Sequence, residues 1–262
     1  PALATHIGRS MQFLDCTLPT VAENLALDEA LLDEAQQASD EQASAAQTTQ
    51  NPADCETLRL WQAEAPFVVL GRSSRVAEEV YPMRAAQAAV PIFRRISGGA
   101  TVAAGPGCMF YSLVLSLERR PHLRMLDQAH HSVMSTLQRA LRPLVPTLLF
   151  DGTCDLVLDG RKVSGNSVRM VRQWMLYHGT LLLSMDLELV EQLLPHPPRE
   201  PPYRRSRSHA DFLANLQLPY PVVLESLRQA WQATETRTDI PTHRIETLLR
   251  DKYSQPHWNL QR

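Results

Sequence analysis

The chain has 262 residues, of which 44% are hydrophobic and 21% charged, with a formal net charge of −2. That is ordinary globular composition, with length enough for a full core in one large domain or two small ones. The near-balanced charge argues against bulk binding to nucleic acid or to a membrane surface, and no apolar run approaches the roughly 18 residues of a membrane span.

The N-terminus lacks a signal-peptide pattern, which predicts a cytoplasmic protein. Four cysteines, Cys16, Cys55, Cys108 and Cys154, form no CxxC or CxxH pair, so free thiols rather than a zinc site are expected.

In chain order, the first predicted element is a helix in TVAENLALDEALLDEAQQA. Leu25, Leu27, Leu31 and Leu32 mark its apolar stripe, with Thr20 as cap and Glu23 three residues on. The Ala-, Gln- and Ser-rich stretch that follows is expected to be a mobile loop over residues 39–56. TLRLWQ and FVVLG read as strands, EVYPMRAAQAAV as a short helix, and VPIFRRI as strand again.

After SGGATVAAGPG comes a buried strand, CMFYSLVLSLE, and then a long amphipathic helix in MLDQAHHSVMSTLQRALRPLV. TLLF, CDLVLDG, RKVSGNSVRM and QWMLYHGTLLLS predict four further strands, with Gly160 at a tight reversal. LELVEQLL is helical, PHPPREPPYRRSRSHA is a Pro- and Arg-rich connector, and two more helical segments close a C-terminal part over residues 196–262. Clustered strands with helices interleaved and appended predict an α+β fold with a mixed or largely antiparallel sheet.

Two stretches carry chemistry. In RRISGGATVAAGPG, Arg94 and Arg95 precede the turn Ser97-Gly98-Gly99-Ala100, whose small residues allow backbone N–H groups to cradle an anion. Arg95 adds donors suited to phosphate or carboxylate. In GRKVSGNS, Lys162 stands between glycines on a strand.

These stretches, with Asp155-Leu156 and His178-Gly179-Thr180-Leu181-Leu182, resemble the lipoate–protein ligase A family, within the biotin and lipoate protein-ligase superfamily. The resemblance extends from ENLALDEALL to RDKYSQPHWN, covering nearly the whole chain. It implies one catalytic domain over residues 1–262 with a mixed sheet and flanking helices, the biotin/lipoate ligase fold that is also class II aminoacyl-tRNA synthetase-like.

It further implies transfer of lipoate or octanoate to the lysine of a lipoyl carrier domain, through a lipoyl-AMP intermediate made with ATP and Mg²⁺. Lys162 is then the catalytic cation beside acyl carbonyl and phosphate, where it stabilises developing negative charge. Arg94, Arg95, Ser97, Gly98, Gly99, Ala100, Gly165, His178, Gly179 and Thr180 are implied to bind the acyl-adenylate. Gly165 would leave room for the acyl chain, and Asp155 would assist nucleotide and Mg²⁺.

The chain departs from the family's pattern after Ser-Gly-Gly. Ala104-Gly105 replace a His-Asp pair, Cys108 replaces an Asn, and Cys154 replaces the Asn before Asp155. Polar groups expected around ATP are thereby removed, and two thiols enter. The alternatives this leaves are a cysteine-dependent octanoyl or lipoyl transferase without ATP, and a non-catalytic acyl or carrier-domain binding module. With HWNLQR at its end, the chain is expected to carry no accessory C-terminal domain, and a separate accessory-domain protein is a further partner to expect.

Overall fold

The computed structural model describes residues 11–44 and 55–261. Its centre is a mixed eight-stranded sheet. The strands are β1 (Gln12–Asp15), β2 (Thr57–Gln62), β6 (Cys108–Ser116), β7 (Leu149–Asp151), β8 (Asp155–Leu158), β9 (Arg161–Val171), β10 (Trp174–Leu182) and β11 (Glu235–Thr236). They run in the order β11-β1-β2-β6-β10-β9-β8-β7, with β1 parallel to both its neighbours and the others antiparallel. A second sheet has β3 (Phe67–Leu70) between β4 (Ile92–Arg94) and β5 (Val102–Ala104). The predicted α+β class with a mixed sheet holds.

Alternation along the central strands divides the core in two. On β10, Trp174, Leu176 and Leu182 face a cluster with Trp61 and the small sheet, against α1 (Val21–Ala43). Met175, Tyr177 and Leu181 face the opposite cluster, built with α4 (Leu126–Leu141) and α7 (Tyr220–Ala230). This two-residue period is what a sheet buried on both faces requires.

Shorter helices α2 (Val76–Glu79), α3 (Pro82–Gln87), α5 (Glu188–Leu193), α6 (His209–Phe212), α8 (Thr242–Leu248) and α9 (Pro256–Asn259) complete the fold. Among the described residues no helix is long and apolar enough to cross a membrane.

The predicted capping box is present. Thr20 Oγ1 accepts from the Glu23 N–H, and the Glu23 carboxylate accepts from the Thr20 N–H at 2.7 Å. The loop expected over 39–56 begins too early, because α1 continues through Ala43. Tertiary contacts override the polar composition there: Ala38 is buried, and the Trp174 indole N–H donates to Ser39 Oγ at 2.8 Å. Cys55 and Glu56 are buried as well, while residues 45–54 lie outside those described.

Three strands go beyond the sequence reading. β1 comes from the short MQFLD stretch, β5 lies inside the Gly- and Ala-rich run, and β11 brings the C-terminal part back onto the edge of the sheet.

Candidate active site

A cavity of about 220 Å³ opens between α1, the small sheet and the β6–β10–β9 portion of the large one. Its apolar wall includes Leu25, Val69, Leu182, Val190 and Leu194, with the aromatic group Trp61, Phe67 and Phe110. Trp61 and Phe110 stack with ring centroids 4.1 Å apart, which gives this wall a rigid surface.

Strand register brings the polar groups together. His178 pairs with Ser167 on β9, so Gly165, two residues back, shares the face of His178. Across to β8, Gly165 pairs with Asp155. Simple alternation from Gly165 would turn Lys162 to the opposite face. Between β8 and β9, however, Leu156 pairs with Ser164 while Val157 pairs with Lys162, so Val163 is the extra residue of a bulge. The bulge buries Val163 in the α4-side core and returns Lys162 to the face of Asp155 and Gly165. Lys162 Nζ then meets Asp155 Oδ1 at 2.8 Å.

Gly165, three residues on, lines the cavity beside the lysine. A Cβ on Gly165 would approach Lys162 Cε to 2.9 Å and Nζ to 3.0 Å. The space it leaves is bordered by the end of the lysine side chain.

Asp155 is buried, and both its oxygens are engaged, since the Tyr203 hydroxyl donates to Oδ2 at 2.8 Å. Among the described residues no group of three or more His, Cys, Asp or Glu side chains could hold a metal ion. Asp155 is thus a single carboxylate, of the kind that assists a nucleotide-borne Mg²⁺ only together with the phosphates.

The two arginines part company. Arg95 lines the cavity, but its guanidinium braces its own loop, donating to Val69 O at 3.3 Å, Ser97 Oγ at 3.1 Å, Gly98 O at 2.5 Å and Ala100 O at 3.0 Å. Burial lowers its pKa to about 10, with Glu79 opposing, so it remains a fixed cation at neutral pH. Arg94 is fully buried away from the cavity lining and donates to the carbonyls of Gly71, Ser74, Trp258 and Gln261. That ties the turn after β3 to the end of the chain.

The Ser97–Ala100 loop curls around Arg95. Gly99 has φ +86, and a Cβ there would press on the Arg95 guanidinium at 3.0 Å, so glycine is required. Beside Gly98 a Cβ would meet nothing within 4 Å, so the space next to the loop is open. Ala100 lines the cavity, while Ser97 lies just behind it.

His178 and Thr180 line the cavity from β10, and Gly179 between them has its open face covered by the Asn166 amide. That amide donates to Cys154 O at 2.6 Å, and its oxygen accepts from the Tyr111 hydroxyl. His178 Nε2 is 2.5 Å from Ser97 Oγ, and its Nδ1 is 3.4 Å from Asp28 Oδ2. Asp28 in turn pairs with the fully buried Arg59, Nη1 to Oδ1 at 2.5 Å.

Sequence reasoning missed Asp28 and Tyr203. Asp28 interrupts an apolar helical stripe, which is a legible signal; Tyr203 stands in a connector with no periodicity.

Neither added thiol is activated. Burial pushes Cys154 up to about 11 despite Lys162, and drives Cys108 higher still. Only two of the 26 Lys and Arg residues are lysine. Besides Lys162 there is Lys252, whose Nζ lies 2.8 and 2.7 Å from the Glu29 oxygens and over the Trp258 ring at 4.2 Å.

Known proteins are similar to this chain in sequence and in fold. Residues 20–234 match the lipoyl protein ligase A/B catalytic domain. Lipoate–protein ligase 1 of Staphylococcus aureus is 27% identical over 218 residues, which cover 78% of this chain and 64% of that protein. The chain thus spans under two thirds of that ligase's length. The octanoyltransferase LipM of Oceanobacillus iheyensis is 24% identical over 238 residues, covering 84% and 82% of the two chains.

Among solved structures, a Thermoplasma acidophilum lipoate protein ligase with bound lipoic acid aligns at TM-score 0.74 and 18% identity, covering 96% of this chain and 98% of that one. A study of a bipartite ligase and its E2 lipoyl domain from the same organism gives 0.75 and 20%, covering 97% and 98%. A lipoate–protein ligase A bound with ATP gives 0.72 and 19%, covering 96% and 98%. With a domain match over most of its length and this fold around the cavity, the chain belongs to the lipoyl protein ligase A/B catalytic domain family.

Proposed function

We propose that the chain transfers a lipoyl or octanoyl group to the side-chain amine of a lysine in a lipoyl carrier domain, with an acyl-adenylate as donor. The observation that carries this reading is Lys162, turned by a bulge into an apolar-walled cavity and held there by Asp155. The aliphatic and aromatic wall suits a straight apolar chain, and relatives whose structures hold lipoic acid or ATP have the same fold.

In the transfer step the acceptor amine forms a C–N bond to the acyl carbonyl carbon and loses a proton. The bond from that carbon to the phosphate oxygen breaks, and AMP leaves with the electron pair. Negative charge grows on the carbonyl oxygen and on the departing phosphate, and a fixed cation beside both lowers the barrier. Lys162 supplies that charge, and the buried Arg95 lines the same cavity.

Formation of the adenylate is the weaker half. Where the family has its His-Asp pair, Ala104 is buried in the apolar core and Gly105 approaches the Pro66 backbone, so no polar group replaces the pair. Preformed lipoyl-AMP should therefore be used much faster than lipoate with ATP and Mg²⁺, read as mass gain on an apo carrier domain. Equal rates would show that adenylation is intact, and no modification from any donor would defeat the proposal.

The same assay tests the thiol route. A thiol raised to about 11 is almost wholly protonated at neutral pH, a poor state for a nucleophile. Cys154→Ser and Cys108→Ser should both keep transfer from lipoyl-AMP within a few-fold of wild type. A hydroxylamine-labile adduct on either cysteine, lost together with turnover on substitution, would favour the cysteine-dependent transferase instead.

A further inference from the structure

The connector between α5 and α6 is a strap across the cavity: Pro197, Arg199, Pro201 and Arg204 all line it. It is pinned at several points. The His209 ring Nε2 lies 3.1 Å from Pro195 O, and the Arg207 guanidinium donates to Gly160 O, in the β8–β9 turn, at 2.8 Å. Ala214 N–H donates to the carbonyl of Lys162 itself at 3.0 Å. The chain that follows β10 thus returns to grip the strand carrying the site's cation.

One side chain of the strap reaches the ion pair directly. Tyr203, on the 3₁₀ turn Pro202–Arg204, donates its hydroxyl to Asp155 Oδ2 at 2.8 Å, while Asp155 Oδ1 holds Lys162 Nζ at 2.8 Å. Its ring is fixed against Phe212, centroids 5.2 Å apart, and its edge lies 3.2 Å from where a Cβ on Gly152 would be. Gly152 has φ +60 at the β7–β8 turn, so the hairpin leading into Asp155 is shaped to receive this ring.

We propose that Tyr203 is a positioning residue for acyl transfer: it orients the Asp155 carboxylate, and through it sets Lys162, linking both to the strap that borders the acyl cavity. The proposal rests on the acyl-transfer reading above. A buried carboxylate has two oxygens and a free torsion, and one ion pair leaves the second oxygen unassigned. A hydroxyl donor from a fixed ring settles both, which presets the distance from Asp155 to Lys162. Burial and the adjacent Asp155 hold the phenol protonated, so it serves as a donor throughout the neutral range.

Tyr203→Phe removes only the hydroxyl and keeps the ring packing. With preformed lipoyl-AMP as donor, kcat should fall about tenfold, while KM for the donor and the melting temperature stay near wild type. A structural role would lower the melting temperature and leave kcat of the folded fraction unchanged.

A second readout does not depend on activity. The chain has two lysines, so competitive acetylation with acetic anhydride, read by mass spectrometry of peptides, reports Lys162 and Lys252 separately from each other and from the α-amine. In Tyr203→Phe, Lys162 should label several-fold faster as Asp155 loses its fixed orientation, and Lys252 should be unchanged. Unaltered Lys162 labelling with unaltered kcat would overturn the role assigned to Tyr203. Absence of transfer by wild type would defeat the acyl-transfer reading alone, because the labelling contrast still decides whether Tyr203 sets the pair.

Discussion

Lys162→Ala should lower transfer from lipoyl-AMP by at least about 10²-fold, equivalent to roughly 3 kcal/mol of transition-state stabilisation, with the melting temperature nearly unchanged. The two halves of that expectation come from different features. The ammonium is the charge aimed into the cavity, so its loss falls on the step where negative charge develops. Its side chain is 26% exposed and lies along the cavity beside Gly165, so less folding energy is lost with it than with a fully buried group. Asp155 is left with Tyr203 as donor, which limits the cost of stranding a carboxylate. Single-turnover measurements with a fixed lipoyl-AMP concentration separate chemistry from product release. Wild-type rates in Lys162→Ala would remove the central assignment.

Asp28→Asn should have the opposite profile, with a stability loss of about 3–5 kcal/mol read by urea or thermal unfolding. Asn preserves shape while deleting the charge opposite Arg59, whose side chain is fully buried. Arg59 also donates to Asn24 O at 2.8 Å and Asn24 Oδ1 at 2.5 Å, but neutral acceptors do not replace a carboxylate for a cation out of water.

The acid side of wild-type stability follows from the same pair. Burial alone raises the Asp28 pKa; the adjacent Arg59, helped by His178, outweighs it and holds the carboxyl below the usual carboxylate range. With a folded pKa below the unfolded one, the unfolded chain binds this proton first as pH falls. Asp28 therefore contributes stability that is complete above the unfolded value and is lost as pH drops through the folded one. In Asp28→Asn that part of the acid-side slope should disappear. A variant as stable as wild type at pH 7 would show that Arg59 finds adequate partners without the charge.

Much of this architecture can be read directly from residue order. The capping box at Thr20 and Glu23, the alternation along β10 and the turn at Gly160 are local patterns with local causes, and each reappears where expected. Register is harder, because it depends on which strand lies alongside. RKVSGNS gives no sign that Val163 is an extra residue, yet that single offset decides which face Lys162 joins.

Arg94 and Arg95 illustrate a second limit. One ends β4 and the other follows it, and only the surrounding carbonyls show that Arg95 braces the Ser97–Ala100 loop while Arg94 anchors the Trp258–Gln261 segment. Tyr203 is a third case: 48 positions separate it from Asp155, and no periodicity connects them.

The scarcity of lysine has its own meaning under the proposed use of an activated acyl donor. Such a donor reacts with any deprotonated amine it meets, and proximity alone would make the enzyme's own surface the most frequent target. An arginine guanidinium keeps its proton at physiological pH and offers no lone pair for attack. With only Lys162 and Lys252 present, and each ammonium held against a carboxylate, nearly all the basic side chains of this chain are chemically inert toward the donor. On the proposed reading, arginine in place of lysine supplies positive charge and leaves the acyl group for an amine presented by the carrier domain.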